Sequence, residues 1–565
     1  MNYKNHFTKE GENLSDMPWQ EYPRPQLKRE SYVNLNGKWE FALSRCEKIP
    51  DEFPMQILVP FPPESILSGI HKRKKKREYL FYKKKVVLPP KFIKDKVLLH
   101  FGAVDQIATI YINGIKVMTH VGGYLPFSAD ITPYLKNENV IVVKVKDTLN
   151  RDLPYGKQKD KRGGMWYTPV SGIWQTVWIE SVSSDYIREL KITPTLDSVR
   201  IQVDSLAKTK EILIKTEQGI IYKKFEENEI TISIHQPKTW SPEQPYLYEF
   251  EMMVEGDRIT SYFALRTLCI KKVNGISRLC LNGEPYFFHG LLDQGYFSDG
   301  IYLPADVKNY ENDISTMKEL GFNMLRKHIK VEPAMYYHLC DKLGMIVFQD
   351  MVNNGHYFFL RDTILPTIGL NRINDSLLFR TKTVKDNFRK FTKETIKVLY
   401  NVPSICYWTI FNEGWGQFES DKMYELVKQY DDSRFIDSTS GWFCQKKSDV
   451  DSKHIYFSPV AIKEGSRPVV LSEFGGYSCK LPKYSYNLVK TYGYRFYNET
   501  GKFQEAIRDL YLKEVIAQKK KGLCASIYTQ VSDVEDETNG LLTYDRRVLK
   551  VDKEEMQKIA KQMLL

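Results

Sequence analysis

The chain has 565 residues, more than one hydrophobic core can serve, so two to four domains are expected. With 42% hydrophobic and 27% charged residues it is a globular chain, which excludes a disordered or fibrous one. The net charge of +12 would suit an acidic partner, but much of it sits in the run His71–Arg77 and in Lys83, Lys84 and Lys85; no zinc-finger, RNP or P-loop pattern accompanies it, so nucleic acid is not expected.

A solvated loop is the first reading of that run, and a surface for an anionic ligand the second. The first residues, MNYKNHFTKEGENLSDMPW, show no apolar leader, and no stretch of eighteen apolar residues occurs, so a cytoplasmic protein without a membrane partner is expected. The eight cysteines are scattered without a CxxC pair. They read as reduced thiols rather than metal ligands.

Residues from about 30 to 183 carry short alternating strands, among them YVNLNGKWEFALS, EYLFYKKKVVLP, QIATIYINGIKVM and NVIVVKVKDT, the pattern of an all-β sandwich. Residues 184–267 repeat it over the length of one immunoglobulin-like module. From 268 onward, apolar strands alternate with amphipathic helices. Eight strands are expected: 286–290, 322–327, 345–350, 406–412, 434–439, 454–458, 468–474 and 524–530. Helices are expected at 305–320, 333–343, 384–400 and 503–520. Eight such units predict a (β/α)8 TIM barrel with its chemistry at the C-terminal strand ends. The gaps flanking the sixth strand are too short for full crossover helices, so loops are expected there.

Two glutamates stand at such strand ends. YWTIFNEGWGQF places Asn412 and Glu413 at the end of the fourth strand, and PVVLSEFGGYS places Glu473 at the end of the seventh. A carboxylate at the tip of a buried strand is costly without a partner or a task. Each alone could be structural; the two together, each followed by glycines that would let a ligand approach, point to paired-carboxylate chemistry on a glycoside.

FNEGWG resembles the acid/base motif of glycoside hydrolase family 2, and LSEFGG resembles its nucleophile motif. VNLNGKWEF, PFPPESILSGI and MWYTPVSGIWQTVWIE are similar to the family's N-terminal sugar-binding jelly roll, and LNGEPYFFHG and GFNMLRKHIKVEPAMYYHLCDKLGMIVFQDM to the start of its barrel. The resemblance implies a jelly-roll β-sandwich over 1–183, an immunoglobulin-like β-sandwich over 184–267 and a catalytic TIM barrel over 268–565.

It further implies that Glu413 is the general acid/base, Glu473 the nucleophile of a retaining exo-β-glycosidase, and Asn412 a hydrogen-bonding partner of the sugar 2-hydroxyl. Arg326 matches the family's arginine on the second strand, a cation beside Glu473, with a structural salt bridge as the alternative. His328 aligns with a family histidine, although Lys327 replaces the usual small residue before it. Tyr456 and His454 fall on the sixth strand, where such barrels present a tyrosine beside the nucleophile. Trp442 and Tyr528 are candidate walls of the sugar pocket, with packing the equal alternative, and Asp350 and Asp533 are candidate partners of substrate hydroxyls.

Several sugars are compatible with this chemistry. The family's β-glucuronidases carry an Asn-x-Lys pair after the nucleophile, and neither Asn487, Asn498 nor Asn539 is followed by lysine two positions on. A β-galactoside is therefore the first expectation, and a β-uronide read by Lys327 or Lys330, or a β-mannoside, the alternative. No metal or other cofactor is expected. A glycoside or oligosaccharide is the expected partner, and association of the chain with itself stays open. The competing class is a carbohydrate-binding protein that kept the folds and lost turnover.

Overall fold

The computed structural model describes residues 6–367, 369–370 and 373–564. The N-terminal unit is a sandwich of two antiparallel sheets. One orders the strands Tyr32–Asn34, Val177–Val182, Lys96–Phe101 and Phe127–Asp130; the other orders Met55–Val59, Gly37–Ser44, Tyr79–Val86, Asn139–Lys146, Ile107–Ile112 and Ile115–Val121. Their inward side chains, including Trp39, Phe41, Leu80, Leu99, Ile110 and Val143, form one core. Two sheets packed face to face bury such a core between their inner faces.

A second sandwich follows, with a three-stranded sheet (Glu189–Pro194, Ser198–Asp204, Glu229–Ser233) against a four-stranded one (Gly219–Phe225, Lys210–Thr216, Tyr248–Val254, Asp257–Phe263). Ile201, Ile212, Phe250 and Ile259 are among its core residues.

The third unit is a nearly closed parallel barrel. Its strands are β1 (Phe288–Asp293), β2 (Met324–Lys327), β3 (Ile346–Asp350), β4 (Ile405–Asn412), β5 (Phe435–Ser440), β6 (Asp451–Ile455), β7 (Val469–Phe474) and β8 (Leu523–Tyr528), paired in the order β5-β4-β3-β2-β1-β8-β7-β6. Phe288, Met324, Phe348, Tyr407, Val470 and Ile527 are buried in one cluster with Leu279 and Leu281 of the preceding hairpin. The barrel is thus a packed core rather than a channel.

The sixth strand begins three residues earlier than its apolar cue predicted. No helix lies between β5 and β6 or between β6 and β7, as the short gaps required. No backbone ladder joins β5 to β6; buried serines bridge the seam instead. Ser440 Oγ lies 3.4 Å from Ser452 Oγ and donates to Ser472 Oγ at 3.0 Å, and Ser452 Oγ donates to Ser472 Oγ at 2.6 Å. Helices at Ser420–Tyr430 and Lys553–Leu564 were not anticipated. Among the described residues no helix is long and apolar enough to cross a membrane, and all eight cysteines are unpaired.

Candidate active site

The strands end in a ring of polar side chains, as barrel geometry demands: strand interiors fill the core, and their tips are free for chemistry. Arg326, on β2, organises the ring. Its Nε and Nη2 donate to the two oxygens of Asp350 at 2.9 and 3.1 Å, Nη1 donates to Glu473 Oε1 at 3.0 Å, and Nη2 to Asn412 Oδ1 at 2.8 Å. A planar guanidinium suits this task because its donors are fixed in direction. Four strands are tied together by one buried side chain.

Glu473 also accepts a short hydrogen bond from the Tyr456 hydroxyl. Burial alone would raise its pKa, but the fields of His454, Arg326 and His328 and the Tyr456 bond pull it below the ordinary carboxylate range, to about 2. The carboxylate is therefore held ionised and aimed. Asp350 is ionised for a related reason: burial opposes it, and Arg326 and His328 overcome the burial.

Glu413 enters from β4. It follows the last strand residue in a left-handed backbone conformation with φ of 50°, a geometry that costs a non-glycine residue roughly 1–2 kcal/mol. Its Oε1 lies 2.8 Å from His454 Nδ1, whose Nε2 lies 2.9 Å from Ser440 Oγ. The seam serine thus sets the ring angle of the histidine that holds Glu413. Donor atoms of Glu413, His454 and Glu473 all lie within 4.8 Å of one another. This spacing would admit a cation, but each donor is already engaged by a neighbour. The pair is equipped for proton donation by one carboxyl and attack by the other.

The structure brings together Glu413, Glu473, Asn412, Arg326, His328, Asp350, His454 and Tyr456. Trp442 stands at the rim, its ring 5.6 Å from that of His454. Asp350 corrects one expectation. Both its oxygens are engaged by Arg326, and Oδ2 also accepts from His328 Nδ1 at 2.7 Å, so its geometry serves to position Arg326 rather than to receive a sugar hydroxyl. Asp533 lies apart from this ring: its Oδ1 accepts from Lys550 Nζ at 2.7 Å and from the Gly540 amide at 2.9 Å, and its Oδ2 is sealed in the interior. Tyr528 packs between Phe474 and Tyr477 behind Glu473 and is buried in the core.

Lys327 and Lys330 also lie elsewhere. Lys327 Nζ donates to Asp293 at 2.6 Å and Glu332 at 2.9 Å, while Lys330 Nζ donates to Glu332 at 2.9 Å and to the Gly295 and Tyr302 carbonyls. Neither is free to bind a substrate carboxylate. The glycines after each glutamate make room for rings rather than for a ligand: a Cβ on Gly414 would stand 2.5 Å from Phe443, one on Gly475 2.2 Å from Tyr528, and one on Gly476 2.5 Å from Tyr494. Sequence reasoning missed Tyr494, which stacks on Tyr456 at 3.8 Å. It also missed Trp166 from the first sandwich, stacked on Trp415 at 5.3 Å.

Because Tyr456 restrains and acidifies Glu473, Tyr456→Phe is expected to lower kcat about ten- to hundred-fold, the equivalent of a hydrogen bond to a charged group worth about 1.5–3 kcal/mol. Losing an interaction that lowers the Glu473 pKa must raise that pKa. The acidic limb of kcat/KM should therefore move to higher pH, and an unmoved limb would contradict the role.

Residues 272–559 match the domain described as glycosyl hydrolases family 2, TIM barrel domain. Residues 72–181 match the family's sugar binding domain, and 181–266 its intervening domain. A β-galactosidase of Thermoanaerobacter pseudethanolicus is 27% identical over 394 residues, 64% of this chain and 49% of that protein; the chain thus aligns with about half of that relative's length. A β-glucuronidase of Paenibacillus borealis is 23% identical over 450 residues, 74% of this chain and 73% of that one. Among solved structures, the β-glucuronidase of an uncultured Clostridium superposes with a TM-score of 0.74 at 18% identity, covering 95% of this chain and 99% of its own, a likeness of fold.

Proposed function

The chain belongs to family 2 of the glycosyl hydrolases, and from that membership we propose that it is a retaining, exo-acting β-glycosidase with Glu473 as nucleophile and Glu413 as general acid/base. The observation that carries this reading is the spacing of at most 4.8 Å between carboxylate oxygens of the two glutamates. Direct attack by one carboxylate needs about 5–5.5 Å between the carboxyls, whereas a mechanism that inserts water needs roughly 6.5–9.5 Å.

In the first step Glu473 attacks the anomeric carbon while Glu413 gives its proton to the departing oxygen. This forms a glycosyl ester and releases the aglycone. In the second step Glu413 takes a proton from water, which attacks the same carbon and frees Glu473. The ionised Glu473 faces Glu413 in the free enzyme and becomes a neutral ester midway, so the field on Glu413 falls when its duty changes from acid to base. Asn412 Oδ1 is held by Arg326, which turns its amide nitrogen toward the sugar 2-hydroxyl, a contact that strengthens as charge develops on the ring.

The test is a panel of 4-nitrophenyl β-glycosides, with the first-formed anomer followed by NMR. Release of a β-configured sugar supports the reading; release of the α anomer refutes retention, and no release from any glycoside refutes the enzyme. A β-galactoside is the first glycone to assay. A β-uronide is the second.

A further inference from the structure

Between the strands Asn139–Lys146 and Gly172–Ile173, the first sandwich sends a loop across to the barrel. Its seat is built on both sides of the mouth. The Tyr155 amide donates to the Asn353 carbonyl at 3.1 Å, Asn354 Nδ2 donates to the Asp152 carbonyl at 3.0 Å, and the Thr168 amide and Arg162 Nη1 reach Glu535 at 2.9 and 3.0 Å. Gly156, with φ of +63°, brings the backbone so close to β2 that a Cβ there would stand 3.2 Å from the Ile329 carbonyl and 2.6 Å from the Tyr124 hydroxyl.

The next residue, Lys157, is only 7% exposed. Its Nζ lies 5.7 Å from the centroid of Trp415, two residues beyond Glu413, and 5.6 Å from that of Tyr167. Among the described residues it makes no hydrogen bond or ion pair, unlike Arg326, Lys327 and Lys330. It is not among the sealed unpaired polar atoms, so it keeps some access to solvent. After burial itself, the Lys157 charge is the strongest influence on His328, whose pKa is pushed down to about 4, and on Glu537. His328 lies beside the end of β2, and Glu537 beyond β8, where it accepts from Gln530 at 2.8 Å.

A buried ammonium with no direct hydrogen bond or ion pair, on which the Glu537 carboxyl acts only from beyond ion-pair distance, is unfavourable, and a bound anion lowers that penalty. His328 touches Asp350, Asp350 grips Arg326, and Arg326 holds Glu473, so the surroundings of Lys157 are continuous with those of the attacking carboxylate. The loop is also joined to the basic run: Arg73 donates to the Asp160 side chain at 2.9 Å and to its carbonyl at 2.8 Å, while Lys72, Lys75, Lys76 and Arg77 stay exposed. A positive rim of this kind raises the local concentration of anions.

We propose that Lys157, delivered by the sandwich, selects the glycone by donating to the carboxylate of a β-uronide. The assignment rests on the glycosidase reading above and names the substrate for it.

The test compares kcat and KM of wild type, Lys157→Met, Lys157→Gln and Lys157→Arg on 4-nitrophenyl β-glucuronide, β-galacturonide, β-galactoside and β-glucoside. Wild type should prefer a uronide. Lys157→Met should lower kcat/KM on it at least ~100-fold, chiefly through KM, with a smaller loss on neutral sugars, because a site that has lost its partner for a charged group discriminates by such factors. Lys157→Arg should restore part of the preference, and Lys157→Gln decides the matter should the Met variant not fold. Wild-type turnover confined to neutral glycosides, or equal losses on both classes, overturns the assignment and leaves the glycosidase reading standing. A wild type inert on every glycoside overturns both.

Discussion

Glu473→Ala is expected to lower kcat on aryl β-glycosides by about 10⁵- to 10⁶-fold, the scale seen when the nucleophile of a covalent mechanism is removed, and added azide is expected to restore turnover. The carboxylate is 5% exposed and aimed by Arg326 and Tyr456, so its loss leaves a small cavity on one face of the sugar. Azide entering that space attacks where Glu473 attacked. A single displacement follows, and the product should be the α-glycosyl azide. Arg326 keeps Asp350 and Asn412 as partners, so the site should survive the truncation. A β-configured azide product, or full activity without azide, would assign the nucleophile elsewhere.

The second large effect concerns the other carboxyl. Glu413→Ala should lower turnover about 10²- to 10⁴-fold on substrates with poor leaving groups, the usual contribution of general acid–base catalysis. A 2,4-dinitrophenyl glycoside needs no proton to depart, so it should still glycosylate Glu473, and the ester should accumulate because no base activates water. Mass spectrometry of the intact protein reads that adduct directly. Azide should now attack the ester from the opposite face and yield the β-glycosyl azide. The two variants thus give azides of opposite configuration, a contrast that a purely structural role for either glutamate cannot produce. Equal losses on good and poor leaving groups would remove Glu413 from proton transfer.

Much of this was legible because barrel strands are apolar runs and their last residues are not. Arg326, Asp350, Asn412 and Glu473 each stand where hydrophobicity ends, and a charged group there needs a partner or a purpose. The sixth strand shows where this logic fails. Its apolar cue, Ile455 to Phe457, starts at the strand's last residue and runs past it, and Phe457 is exposed; the rest of the strand reads Asp451, Ser452, Lys453, His454. The buried positions, Ser452 and His454, are polar because they face the unladdered seam, where hydroxyls bridge the gap that backbone bonds leave. Hydrophobic periodicity cannot find such a strand.

The helix Lys553–Leu564 was readable and overlooked, since Met556, Ile559, Ala560 and Met563 mark one face at helical spacing. Asp350, Asp533, Lys327 and Lys330 were misjudged for a different reason. Their residue types suit substrate binding, but whether a charged group is already matched depends on neighbours far away in sequence. Lys157 is the converse case, ordinary in sequence and distinguished only by the lack of a partner where the fold delivers it.

The loop that carries Lys157 belongs to a sandwich, whereas Glu413 and Glu473 belong to the barrel. Surface loops on a rigid scaffold accept substitutions and insertions that strand ends cannot. Heritable change can therefore act on one half of the pocket while the other stays fixed, and a lineage built this way can move among sugars without reinventing the reaction. The same division ties the two units together: in the proposed enzyme the barrel supplies Glu413, Glu473 and Asn412, and the sandwich supplies Lys157.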